Sequence, residues 1–201
     1  MKRLIVLFIV SSFFSFLHLS TGQLVDVEGE DVVNGGTYYM LPGIEGDGGG
    51  MEGAKTGRET CPITVVQSRN DVSNGEPITI ESPFRSYFIP KGSLVRIGFT
   101  SPPKCAPSPW WTLALDRPQG LLSVKLGEYE STEFNYSFKF EDVSSKLHSY
   151  KLSYCVREEW YEDYICKNIG IYRDSKGYRR LVVNEENPLV VVLKKVESST
   201  A

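Results

Sequence analysis

The chain has 201 residues, with 22 Lys and Arg against 25 Asp and Glu and a net charge of −3. That mild acidity argues against a protein built to grip nucleic acid, which needs Lys and Arg clustered on an electropositive face. Apolar residues make up 41% and charged residues 23%, the balance of a globular chain long enough to bury a sizeable core.

The N-terminus opens with Lys2 and Arg3, then an apolar run from Leu4 to Leu17 broken only by serines, then Ser20 and Gly22 in the minus-three and minus-one places before Gln23. This is the pattern of a secretory signal peptide over residues 1–22. The run is too short and too rich in serine for a membrane span. Its removal leaves 20 basic against 25 acidic residues, a charge of −5, and a single soluble domain over residues 23–201. The expected destination is extracellular (apoplast) or vacuolar, with no membrane and no nucleic acid as partner. Cys61, Cys105, Cys155 and Cys166 would then meet an oxidising compartment, and two disulfides are expected. Three connectivities are open, of which nearest-neighbour pairing is the simplest.

Along the chain, strand signals dominate. Short runs rich in Val, Ile, Thr and aromatics, bounded by Gly, Pro, Asn, Asp or Ser, predict strands at residues 37–41, 63–67, 78–81 and 94–99. Others follow at 111–115, 122–126, 135–140, 150–156, 169–173, 180–184 and 189–194. Asn34-Gly35, Asn74-Gly75 and Lys176-Gly177 are turn signals. No stretch keeps a 3.6-residue apolar period, so the expected class is an all-β barrel or sandwich. Residues 43–57 contain seven glycines and predict a flexible surface loop. Gly48, Gly50 and Gly53 fit G-x-G-x-x-G, but no helix pattern follows, and Ala54 separates Gly53 from Lys55-Thr56, which excludes a P-loop.

Between two predicted strands lies Ser82-Pro83-Phe84-Arg85-Ser86-Tyr87, a lone cation in a Pro-stiffened segment with apolar and aromatic neighbours. It reads as bait for a trypsin-like protease, whose primary specificity pocket carries a carboxylate. A flexible segment of this kind would be cut and released. A rigid one would bind as a substrate does and dissociate intact.

The residues needed for catalysis are scarce. His148 is the one histidine beyond the leader, and it sits in a polar approach to a strand. Evenly paired cysteines leave no thiol nucleophile, and one histidine is too few for a catalytic zinc site. The carboxylates Glu158, Glu159, Glu162 and Asp163 lack an EF-hand rhythm and read as a solvated acidic loop. No catalytic residue, metal or cofactor is expected, and the chain is not expected to be an enzyme. Asn135-Tyr136-Ser137 is an N-glycosylation sequon.

Several segments together resemble the plant Kunitz (soybean trypsin inhibitor type) protease inhibitors over nearly the whole mature length. They are Leu24-Val25-Asp26-Val27-Glu28-Gly29, Val33-Asn34-Gly35-Gly36-Thr37-Tyr38-Tyr39, Cys61-Pro62-Ile63-Thr64-Val65-Val66-Gln67, Tyr150-Lys151-Leu152, Ile169-Gly170-Ile171, Arg179-Arg180-Leu181-Val182-Val183 and Pro188-Leu189-Val190-Val191. The resemblance implies a β-trefoil, a six-stranded barrel closed at one end by three hairpins. It implies the pairs Cys61–Cys105 and Cys155–Cys166. It places the reactive bond at Arg85-Ser86 and an amide that props the loop at Asn34. The implied partner is a trypsin-like serine endopeptidase, bound by a monomer. Two other readings carry different expectations: inhibition of another protease class through another surface, such as the basic hairpin Arg173-Asp174-Ser175-Lys176, or a storage or carbohydrate-binding trefoil. No Gln-x-Trp motif of the ricin type precedes Trp110, Trp111 or Trp160.

Overall fold

The computed structural model describes residues 22–116, 120–128, 136–157 and 164–197. Twelve strands run through them: β1 (Thr37–Pro42), β2 (Met51–Ala54), β3 (Thr64–Gln67), β4 (Ile78–Glu81), β5 (Leu94–Phe99), β6 (Trp111–Asp116), β7 (Leu121–Leu126), β8 (Phe138–Ser144), β9 (Ser149–Arg157), β10 (Tyr164–Arg173), β11 (Arg179–Val183) and β12 (Val190–Lys195). Six close into an antiparallel ring. β1 pairs with β4, β4 with β5, β5 with β8, β8 with β9, β9 with β12, and β12 returns to β1. The others form the hairpins β2–β3, β6–β7 and β10–β11. Each of these hairpins is joined to the other two through β3, β7 and β11. A closed barrel capped by three mutually paired hairpins is a β-trefoil, and closure leaves the barrel without free edges.

Period-two alternation explains the barrel. Ile78 and Ile80 of β4, Val95 and Ile97 of β5, and Val191 and Leu193 of β12 are fully buried, while Thr79, Arg96 and Val192 between them are partly exposed. Trp111 lies in the core where β6 begins, its ring edge-on to Phe99 at 5.3 Å and Phe138 at 6.2 Å.

Two covalent staples brace this frame. Cys61 is bridged to Cys105. Cys155 and Cys166 stand opposite each other in the β9–β10 ladder and are bridged across it. The closed loops span 44 and 11 residues, worth roughly 4 and 3 kcal/mol on the chain-entropy model.

The glycine-rich segment overturns its sequence reading. Residues 43–57 are not simply a flexible loop, because they contain β2, paired with β3 from Met51↔Gln67 to Ala54↔Thr64. Gly48, Gly49 and Gly50 are buried. A Cβ on Gly49 would stand 2.3 Å from the Asn70 carbonyl oxygen, and one on Gly50 2.0 Å from that of Asn74. The glycines therefore serve close backbone packing. Composition alone does not separate that use from flexibility.

Elsewhere the strand bounds moved by a few residues. β8 begins at Phe138 and runs on to Ser144, and β10 begins at Tyr164, well before the expected Ile169. The sequon asparagine Asn135 and the carboxylates Glu158, Glu159, Glu162 and Asp163 lie outside the described residues, as does the leader up to Thr21. His148 is partly buried and adopts φ +49° in the β8–β9 turn.

Beside β2, burial pushes the Glu76 carboxyl above its ordinary value, against the lowering effect of a hydrogen bond from the Gly53 backbone and with the Glu52 charge adding to the rise. The folded state thus holds this proton more tightly than the unfolded one, so stability is lost as pH rises from the ordinary value of 4.5 through the folded value. Glu76→Gln is expected to raise the denaturation midpoint at pH 7 and to match the parent below pH 4.5, which paired urea titrations at the two pH values will check.

Candidate functional site

β1 leads into the cap hairpin β2–β3 and β4 leaves it, so the β4–β5 connection, residues 82–93, emerges at the far end of β4. The second half of that connection is held against the N-terminal segment. Leu24 N–H donates to the Ile89 carbonyl at 2.9 Å and Ile89 N–H to the Val32 carbonyl at 3.0 Å. Single bridges pair Val33 with Phe88 and Gln23 with Pro90. The first half, Ser82 to Tyr87, belongs to no strand and projects from the barrel mouth.

Asn34 supplies what secondary structure does not. Its Oδ1 accepts from Ser82 N–H at 2.8 Å. Its Nδ2 donates to the carbonyls of Ser82 at 3.3 Å, Phe84 at 3.0 Å and Ser86 at 3.2 Å. Its own N–H donates to the Tyr87 carbonyl at 2.9 Å. Two amide hydrogens are shared among three carbonyls, those of every second residue from Ser82 to Ser86. One side chain therefore grips the loop on both sides of the Arg85–Ser86 bond.

Local sequence fixes Asn34 in place. Gly35 takes φ +79° and donates its N–H to the Ile80 carbonyl at 2.8 Å, a conformation glycine adopts without strain. A Cβ on Gly36 would come within 2.9 Å of the Tyr38 ring. The Tyr38 hydroxyl accepts from Val33 N–H at 2.9 Å; burial pushes this phenol up, so it stays neutral at physiological pH.

The loop side chains divide into an anchor and a display. Ser82 is buried at 7% exposure, so it belongs to the loop's base. Pro83 and Arg85 are exposed, as are Phe84 at 56% and Tyr87 at 71%. Arg85 makes no hydrogen bond or ion pair among the described residues. Pro83 locks its own φ and keeps Ser82 extended.

Sequence reasoning missed the support beneath Ser82. Arg96 lies opposite Glu81 in the β4–β5 ladder and donates to its Oε2 from Nε at 2.8 Å. The guanidinium also stacks 4.0 Å over the Trp110 ring and lies 5.5 Å from that of Tyr136. Glu81, the residue next to the loop, is thus ion-paired to a guanidinium that itself lies against two aromatic rings. Only a known register brings Glu81 to Arg96; the sequence signal was a lone arginine in an otherwise apolar strand. Arg96→Met is expected to speed hydrogen exchange at the Ser82 amide, with Arg96→Lys intermediate because ammonium lacks the planar stacking face. Amide exchange followed by NMR reads both.

The basic hairpin Arg173 to Lys176 sits in the cap, away from this loop. Asp174 closes its turn by accepting from Lys176 N–H and Tyr178 N–H, each at 2.9 Å. Arg69 packs over Tyr178 at 5.3 Å.

Comparison with known proteins bears on the same residues. Residues 24–195 match the legume Kunitz model, described as trypsin and protease inhibitor. The chain belongs to the legume Kunitz inhibitor family. Its relatives include trypsin inhibitor 1B of Erythrina variegata, 99% identical over 177 residues that cover 88% of this chain and all of the relative. Trypsin inhibitor 1B of Psophocarpus tetragonolobus is 64% identical over 88% of this chain and 99% of its own length. Among solved structures, soybean trypsin inhibitor in complex with porcine pancreatic trypsin superposes with a TM-score of 0.74 at 37% identity, covering 88% of this chain and 100% of the inhibitor. Legume Kunitz proteins are inhibitors, not enzymes.

Proposed function

We propose that this protein is a secreted inhibitor of trypsin-like serine proteases, acting as a substrate that is turned over very slowly, with Arg85 in the primary specificity pocket and Arg85–Ser86 as the reactive bond. The observation that carries the proposal is the Asn34 amide bound to the Phe84 and Ser86 carbonyls, one on each side of that bond. A protease pocket with a carboxylate at its base takes the free guanidinium. The loop is already held by Asn34, so little conformational entropy is lost on docking. After acylation, Asn34 and the bridge between Val33 and Phe88 hold the new amine beside the acyl-enzyme. Religation then outruns hydrolysis.

Domain and compartment follow the same reading. Residues 1–22 act as the leader and residues 23–201 as one inhibitor domain, supported by a family match that begins at residue 24 and by disulfides that need an oxidising route. The trypsin inhibitor names of the relatives and the soybean inhibitor's complex with trypsin support the choice of target.

Titration of bovine trypsin with the purified protein tests the proposal, followed by mass analysis after long, mildly acidic incubation. The expected result is stoichiometric inhibition with cleavage confined to Arg85–Ser86. Absence of inhibition, or rapid cleavage at several bonds, would sink it.

A further inference from the structure

The 82–87 loop carries more than its cation. Phe84 stands directly before Arg85, is 56% exposed and lies outside the apolar core cluster. Its ring meets no other aromatic ring among the described residues, whereas that of Tyr87 stands edge-on to Phe88 at 4.8 Å. A single apolar side chain on an ordinary surface needs no explanation. Phe84 differs because its backbone is fixed. Its carbonyl accepts from Asn34 Nδ2 at 3.0 Å, its N–H donates to the Ser82 hydroxyl at 3.4 Å, and Pro83 precedes it. A phenyl ring turns about two bonds, so on such a backbone it is ordered on binding at little entropic cost.

Arg85 cannot choose among trypsin-like proteases, because all of them place a carboxylate at the base of the primary pocket. Selection has to come from the neighbouring subsites, and the first that the loop meets ahead of Arg85 is the one that faces Phe84. An open, apolar subsite there takes the ring out of water. A subsite closed to all but small or compact side chains meets the ring as a clash. The order Pro83-Phe84-Arg85 matters for the same reason: the wide side chain stands next to the cation and the compact proline one place farther out.

We propose that Phe84 is the residue by which this inhibitor distinguishes one trypsin-like protease from another, and that its partner has an open, apolar subsite beside the pocket that takes Arg85. The inference rests on the reading of Arg85–Ser86 as the reactive bond and adds the class of protease to which that bond is presented.

A panel of trypsin-like proteases that includes bovine trypsin provides the test. Each member is first graded by the ratio of its kcat/KM values on a Pro-Phe-Arg and a Phe-Pro-Arg amide substrate, which measures how well it takes an aromatic ring beside the arginine. The inhibition constant of the parent is expected to fall as that ratio rises. Phe84→Ala should weaken inhibition by about ten-fold or more, about 1.4 kcal/mol, at the aromatic-preferring end of the panel and by less than about two-fold at the other. Phe84→Pro should reverse the ranking. Both variants should denature at the temperature of the parent, since the ring lies outside the core. Inhibition constants unrelated to the substrate ratio, or a loss from Phe84→Ala that is equal across the panel, would overturn the proposal. Arg85→Ala separates the two levels. If it inhibits as the parent does, the reactive-bond reading fails and this inference with it; if it is weakened while Phe84→Ala keeps the ranking of the parent, this inference alone fails.

Discussion

Arg85→Ala is expected to weaken trypsin inhibition by at least ~30-fold, or about 2 kcal/mol and more, as for a central charged anchor of a protease–inhibitor interface. Folding should be untouched, because Arg85 is exposed and makes no hydrogen bond or ion pair among the described residues. Thermal denaturation of the variant should overlay that of the parent. Arg85→Phe sharpens the test: it keeps the Asn34 grip on the Phe84 and Ser86 carbonyls but offers an aromatic ring, so inhibition should shift from trypsin towards chymotrypsin, whose pocket is apolar. An inhibition constant for trypsin that stays the same in Arg85→Ala would move the active surface elsewhere.

Asn34→Ala is expected to separate binding from resistance. Arg85 would still enter the specificity pocket, so the initial complex should form at a similar rate. The loop would lose the four hydrogen bonds that the Asn34 side chain makes to Ser82, Phe84 and Ser86, and the ends of a cut Arg85–Ser86 bond would drift apart before religation. Hydrolysis at that bond should therefore accelerate by ten-fold or more, about 1.4 kcal/mol. Asn34→Asp provides the finer comparison, since it keeps the acceptor for Ser82 N–H but has no donor for the three carbonyls. It should behave like the alanine variant in cleavage rate. Equal hydrolysis rates in parent and variants, followed by mass analysis over days, would count against the propping role.

Much of the barrel was readable from local pattern. Ile78–Glu81 and Leu94–Phe99 were located to the residue because each is a short run rich in Val, Ile, Thr or aromatics between turn-forming neighbours. β2 was not, because it lies in a glycine-rich stretch with no side-chain pattern, and the close packing of Gly49 and Gly50, just before it, against Asn70 and Asn74 is set by chain roughly 20 residues away. The functional site was partly readable. Arg85 stood out by its setting in sequence, whereas Asn34 beside Gly35 looks like any turn former and owed its assigned role to the family resemblance. The hydrogen bonds that give that role physical content span 48 to 52 residues.

By itself, then, the sequence determined what local chemistry can determine: strand class, an exposed cation in a Pro-stiffened segment, cysteines in even number, and motifs enough to indicate a trefoil. Tertiary structure alone decided which of those pieces act together. Barrel closure puts the Asn34 turn behind residues 82–87, and ladder register puts Arg96 against Glu81. The physical reason is the same in each case. Hydrogen bonds and charges act over a few ångströms of space, and only the folded chain brings residues far apart in sequence within that reach.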